Sequence, residues 1–204
     1  MNKTNTAVNT LVKESISKAV SYKEFRDQVA KHVEDGTSSG PYQSEALSHY
    51  TLLNNSRMKR LDKTIKIDDS ITEKFQGFKG NQTWIVLTES WCGDAAHSMP
   101  VMNKVAEMAG NIDFKVLHRD ENTELMNEFL TNGSMSIPKL IIFDNDTQEV
   151  INDWGPSPST VIKMTKEFKE KHEVLTPEFK KEIQVWYNQN KGKCVAGDMI
   201  KLIK

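Results

Sequence analysis

One segment of this 204-residue sequence carries the residue types of thiol chemistry: Trp91-Cys-Gly-Asp-Ala-Ala-His-Ser-Met-Pro100. Cys92 falls where an apolar strand gives way to a helix. The first N–H groups of a helix lack intrahelical partners, and the helix dipole is positive there. Both effects favour thiolate over thiol, and the thiolate is the nucleophile. The placement therefore predicts an exposed, partly ionised Cys92 with a pKa below the free-thiol value of about 8.5. Gly93 leaves room for a partner to approach. Asp94 puts a carboxylate near the sulfur, which opposes ionisation. It also suits the first turn of a helix, and a proton-shuttle role is open to it. His97 could face solvent or the groove and tune the thiol, although a lone histidine is usually a structural or a surface residue. A second cysteine, in Lys191-Gly-Lys-Cys194-Val195, has two lysines beside it that would lower its pKa if exposed, although a lone tail cysteine is commonly incidental.

The elements that must position these residues are readable from periodicity and punctuation. From residue 8 to 34 apolar residues recur at steps of three and four, a helical stripe, and Ser21-x-x-Glu24 interrupts it as a capping box. Glu34 to Pro41 is a loop by composition. Ser44 caps a helix through Leu61, and Asp69 or Ser70 starts a short one ending near Gly77. Thr83-Trp-Ile-Val-Leu-Thr88 is a continuous apolar strand of the kind buried on both faces of a sheet. The order after it is helix 94–109, strand 112–118, helix 122–130, strand 139–143, strand 149–154 and a helix to about 172. The turn at Asp144-Asn-Asp146 is too short for a parallel crossover, so those two strands form an antiparallel hairpin in a mixed sheet. Thr176-Pro177 opens a last long helix to about Asn190, followed by a basic tail with Lys191, Lys193, Lys201 and Lys204. No first strand is evident before residue 83. Glu89 reads as a loop residue, and His118 to Glu121 as solvated charges near the rim of the groove.

Composition narrows the function. With 27 Lys+Arg against 28 Asp+Glu the net charge is −1, which argues against a general nucleic-acid binder. No apolar run is long enough to cross a bilayer, and the start of the chain has no apolar signal core, so membrane partners are not expected and a cytoplasmic location is. Two distant cysteines make neither a disulfide framework nor a zinc site, so no metal is implied, and in a reducing compartment both are thiols at rest.

The motif resembles the thioredoxin active site, Trp-Cys-Gly-Pro-Cys, followed by a helix-kinking proline; Trp91 and Pro100 keep that spacing. Ser136-Ile-Pro138 resembles the family's Ile-Pro loop, whose proline is cis and faces the active cysteine. Gly155 stands where the family has a glycine after its last strand. The resemblance covers about residues 80–172 and is nearest to bacterial thioredoxin family proteins with Trp-Cys-Gly-Asp-Ala and a helical N-terminal extension. It implies an α/β thioredoxin-like fold: a mixed central sheet flanked by helices. The organisation expected is a helical extension over 1–79, the thioredoxin-like domain over 80–172 and a helical C-terminal extension over 173–204.

The departures shape the functional expectation. Ala95 stands in place of the family's second cysteine, and a methyl group cannot resolve a mixed disulfide. Val86 stands in place of the buried acid that serves that step. Three readings follow. In the first, Cys92 is the nucleophile of a monothiol oxidoreductase, Asp94 attends it, Trp91, Gly93, Ile137 and Pro138 bind the substrate, and glutathione or another small thiol is co-substrate. In the second, Cys194 is the resolving cysteine, within the chain or across a homodimer. In the third, the domain is a redox-inactive peptide- or protein-binding module. No organic cofactor is implied, and the partner expected is a thiol- or disulfide-containing protein or small molecule.

Overall fold

The computed structural model of the protein describes residues 3–203; Met1, Asn2 and the tail residue Lys204 lie outside the described residues. In chain order the elements are α1 (Lys3–Ile16), β1 (Val20–Ser21), α2 (Tyr22–Glu34), α3 (Glu45–Thr64), α4 (Asp69–Gln76), β2 (Gln82–Thr88), α5 (Gly93–Ala109), β3 (Ile112–His118), α6 (Thr123–Asn127), β4 (Lys139–Asp144), β5 (Glu149–Trp154), α7 (Ser159–Lys169), α8 (Pro177–Asn190) and α9 (Lys193–Leu202). Local signals set many of the boundaries. Ser21 accepts from the Glu24 N–H while the Glu24 carboxylate bonds back to the Ser21 N–H, so α2 opens on a complete capping box. Ser44 caps α3 and Thr176 caps α8, with Pro177 in the first turn. Gly110 closes α5 in the left-handed region at φ 74°.

The sheet order is β1-β3-β2-β4-β5. β2 is central: it pairs parallel with β3 and antiparallel with β4, and β5 returns antiparallel on β4. Every residue of β2 is buried, which its unbroken apolar run requires. α5 packs against β3 and is flanked by α3, α4 and α9. One apolar core unites these layers and takes side chains from the N-terminal helices (Val12, Phe25, Val29, Met58) and from α9 (Val195, Met199). The C-terminal end of the central strand thus delivers residues 89–92 to a point enclosed by the sheet, α3 and the loop before α3.

Three expectations are corrected. A first strand does precede residue 83: Val20 and Ser21 pair antiparallel with Val116 and Lys115, a strand too short to leave a period-2 signal. Within the expected helical C-terminal extension the basic tail forms α9, because Val195, Ala196 and Met199 recur on one face and bury against the core. The helix expected at 122–130 is the five-residue α6, which ends before Asn132 and Gly133 turn the chain at positive φ. α7 stops at Lys169, short of 172.

Candidate functional site

Cys92 is the N-cap of α5, as the sequence places it, with its backbone extended at φ −76° and ψ 113°. Its exposure is not what the sequence predicts. Only 7% of the residue is accessible, and the thiol donates to the Ile137 carbonyl at 3.3 Å. Burial pushes the Cys92 pKa up to about 12, and the Asp94 carboxylate pushes the same way; the N–H groups of Ala95 and Asp94 and the Thr88 hydroxyl oppose this without overcoming it. The expectation of an exposed, partly ionised sulfur is therefore corrected: the helix start lowers the pKa, but desolvation is larger. The Ile137–Pro138 peptide is cis and brings the Ile137 carbonyl over the sulfur. Gly155, at φ 129°, supports this loop from behind, since a Cβ there would run into the Pro138 carbonyl oxygen. Val86 is fully buried, so no acid stands behind the sulfur at that position.

α8 covers the first turns of α5. Tyr187 donates its hydroxyl hydrogen to Asp94 Oδ1 at 2.5 Å. Burial raises the Asp94 pKa, while hydrogen bonds from Tyr187 and Ser157 oppose the rise. His97 faces neither solvent nor the sulfur. It is 3% accessible, stacks on the Tyr187 ring at 4.4 Å with the planes 2° apart, and its Nε2 pairs with Gln184 Oε1 at 3.1 Å. Burial pushes its pKa down to about 4, helped by the Arg57 and Arg60 charges and opposed by the Gln184 bond, so the imidazole is neutral at pH 7 and donates its Nε2–H.

A polar cluster ties the chain just before the motif to the N-terminal segment. Glu89 is not a loop residue in solvent; its side chain is fully buried. It accepts from the Ser39 hydroxyl and from the Asp120 N–H at 2.9 Å, and His118 Nδ1 stands 3.4 Å away at ion-pair distance. Burial alone would raise the Glu89 pKa, but His118, Ser39 and the Asp120 N–H outweigh it and hold it below the usual carboxylate range. Ser90 bonds Thr51 by its hydroxyl, and its carbonyl accepts from Asn54 Nδ2 at 2.9 Å. The signal for this cluster was a carboxylate at the carboxyl end of a fully apolar strand, where a solvated loop is the less economical reading.

The rim carries cations. Arg119 stacks over Trp91, its guanidinium 5.2 Å from the ring, and donates to the Met135 carbonyl at 3.3 Å beside the cis-proline loop. On the other side Arg57 donates to Asn54 Oδ1 at 2.9 Å and lies over Gly93. The structure thus brings together Trp91, Cys92, Gly93, Asp94, Ile137 and Pro138. It does not bring Cys194 to them: that thiol lies against the hydroxyls of Thr160 at 3.2 Å and Ser159 at 3.5 Å, and both cysteines are free.

The model of a family described as thioredoxin matches residues 40–169. The fold is similar to the crystal structure of a protein of unknown function from Pseudomonas aeruginosa, with a TM-score of 0.58 and 15% identity over 90% of this chain and 96% of that one. It is also similar to the crystal structure of an HIV epitope-scaffold, with a TM-score of 0.57 and 15% identity over 90% and 97% of the two chains. No match was found among curated proteins. At these identities the structural likeness speaks for the fold alone.

Proposed function

The chain belongs to the thioredoxin family, and on that premise we propose that it performs single-thiol exchange at Cys92, with recognition of the partner preceding the chemistry. The observation that carries this reading is the slot itself. The sulfur sits between the start of α5 and the Ile137 carbonyl, with the Asp94 and Ala95 N–H groups able to stabilise charge that develops on it. In the exchange, the Cys92 thiolate bonds to one sulfur of a disulfide, the old S–S bond breaks, and the leaving thiolate takes up a proton. An external thiol, glutathione or another small one, then attacks the mixed disulfide and restores Cys92. Ala95 cannot perform that step, and Cys194 faces α7.

Magnitudes explain why recognition comes first. A thiol with pKa near 12 is about one part in 10⁵ ionised at pH 7, against a few per cent for a free thiol. The greater nucleophilicity of the more basic thiolate recovers a factor of roughly 40, leaving the resting Cys92 roughly a hundredfold slower than a free cysteine. A partner that replaces the Ile137 carbonyl against the sulfur and alters its surroundings changes both numbers.

The same burial and raised pKa favour a second reading, a redox-inactive binding module. Trapping separates the two. The full chain is incubated with a small aromatic disulfide, quenched with acid and mapped by mass spectrometry. A mixed disulfide at Cys92, lost in Cys92→Ser and cleared by glutathione, supports exchange. Adducts confined to Cys194, even at pH 9, support the binding module.

A further inference from the structure

We infer that Arg57, Arg60 and Gln184 form a carboxylate-binding subsite beside Cys92, which selects a thiol or disulfide substrate bearing an acidic group within one or two residues of its sulfur. This rests on the exchange reading above. Arg57 Nη1 and Gln184 Nε2 converge on Gly93, lying 3.7 Å and 3.9 Å from where a Cβ at that position would stand. Gly93 follows Cys92 directly, so a group held there is within a residue or two of the reacting sulfur.

Three features make this corner a surface of donors. The two guanidinium groups bond only neutral side-chain amides, Asn54 Oδ1 for Arg57 and Asn188 Oδ1 for Arg60 at 2.7 Å. Among the described residues the arginine ion pairs are made by Arg26 and Arg119, and no carboxylate lies within ion-pair distance of Arg57 or Arg60. Arg57 and Arg60 stand one turn apart on α3, close enough for their charges to act on each other, and an anion held at Arg57 relieves that repulsion. The second feature is orientation. Asn54 gives its Nδ2 to the Ser90 carbonyl and so turns its oxygen to Arg57, which fixes the guanidinium over Gly93. The third is Gln184: because neutral His97 donates Nε2–H to Gln184 Oε1, the amide NH₂ is the end turned to Gly93. A planar fork of N–H donors matches a carboxylate in two-point geometry. Asp94, the acid next to Gly93, is directed away to Tyr187 and does not fill the corner.

The test uses the full chain and three S-methylated (thioether) peptides, which bind without reacting: acetyl-Gly-Cys(Me)-Asp-amide, the same with Asn, and acetyl-Gly-Cys(Me) with a free C-terminal carboxylate. NMR titration follows the Gly93 backbone amide and the Gln184 side-chain amide. The inference expects both carboxylate peptides, or one of them, to shift these signals with at least about tenfold tighter binding than the Asn peptide, the value of one charge-assisted pair. The better of the two identifies a side-chain or a terminal carboxylate as the source. Arg57→Gln should abolish the preference, and the exposed Arg60→Gln, which leaves the core untouched, should reduce it severalfold. Equal affinity for acidic and neutral peptides, or a preference unchanged in both variants, overturns the subsite. If the acidic peptide binds as expected but its disulfide form never links to Cys92, the exchange reading fails while the subsite stands.

Discussion

At Cys92 two local effects compete, and the larger is the one that no short stretch of sequence displays. A helix start favours the thiolate, but desolvation and Asp94 together push the pKa up to about 12. Alkylation of Cys92 by iodoacetamide, mapped by mass spectrometry from pH 6 to 10, is therefore expected to lag behind that of the less buried Cys194 and to climb with no plateau across the range. A plateau near neutrality would contradict the sheltered thiol. Asp94→Asn removes the neighbouring charge while keeping a partner for Tyr187, so it should speed Cys92 alkylation at pH 8 severalfold; an unchanged rate would assign the whole shift to burial. The position of Cys92 and the opposing charge of Asp94 were legible in the sequence, because both are fixed by spacing within the motif; the approach of the Ile137–Pro138 loop was legible only through the resemblance to the family. The burial of Cys92 was not, because the desolvation that comes with a place in the apolar core is set by tertiary packing, with the Ile137 carbonyl arriving from 45 residues away. His97 has the structural role usual for a lone histidine, but its partners could not be named from the motif, because Gln184 and Tyr187 lie on α8.

Among the elements, those with a strong terminus were the most legible. The capping box at Ser21 and Glu24, the Ser44 and Thr176 caps and the apolar run of β2 all stand where their chemistry puts them. Elements made by tertiary pairing were not: β1 exists because β3 offers it an edge, and α9 because α5 offers it an apolar face. Two substitutions contrast the kinds of boundary. Ser21→Ala removes one side of an exposed capping box and is expected to cost about 1 kcal/mol in urea unfolding. Gly155→Ala meets both a φ of 129° and the Pro138 carbonyl oxygen, so it should cost more than about 3 kcal/mol or prevent folding. Near-equal effects would mean that the segment after β5 can shift without disturbing the cis-proline loop.

The extensions and the thioredoxin-like core share one set of buried groups, so the pH dependence of the whole molecule reports how they are joined. His97 is the hinge of that argument. Burial between α5 and α8 pushes its pKa down to about 4, with Arg57 and Arg60 adding to the effect. In the unfolded chain it titrates near 6.5. Its contribution is therefore complete above about pH 6.5 and is lost as the pH falls through about 4, an effect of about 3 kcal/mol at most. Glu89, held below its usual range, acts with it: its contribution is present above the unfolded carboxylate value and fades as the pH falls further. Asp94 acts against it, because burial raises its pKa; its contribution is present at low pH and lost as the pH rises through its folded value. His118, raised by Glu89 against the pull of burial, likewise contributes below the unfolded histidine value and loses that contribution as the pH rises. Between pH 6.5 and 4.5 the loss from His97 is set against the gain from Asp94, while Glu89 enters only below that window. Urea unfolding of the wild type should weaken by up to about 2 kcal/mol between pH 7 and 4.5. His97→Phe keeps a ring to stack on Tyr187 but has nothing to protonate, so it should be less stable at pH 7 yet flatter with pH. Parallel curves for the two proteins would remove His97 as the acid-sensitive joint. The physical consequence of a flatter curve is specific: α8, whose Tyr187 holds Asp94 next to the motif cysteine, would be held to the core by the very imidazole that acid charges and drives out of its stack.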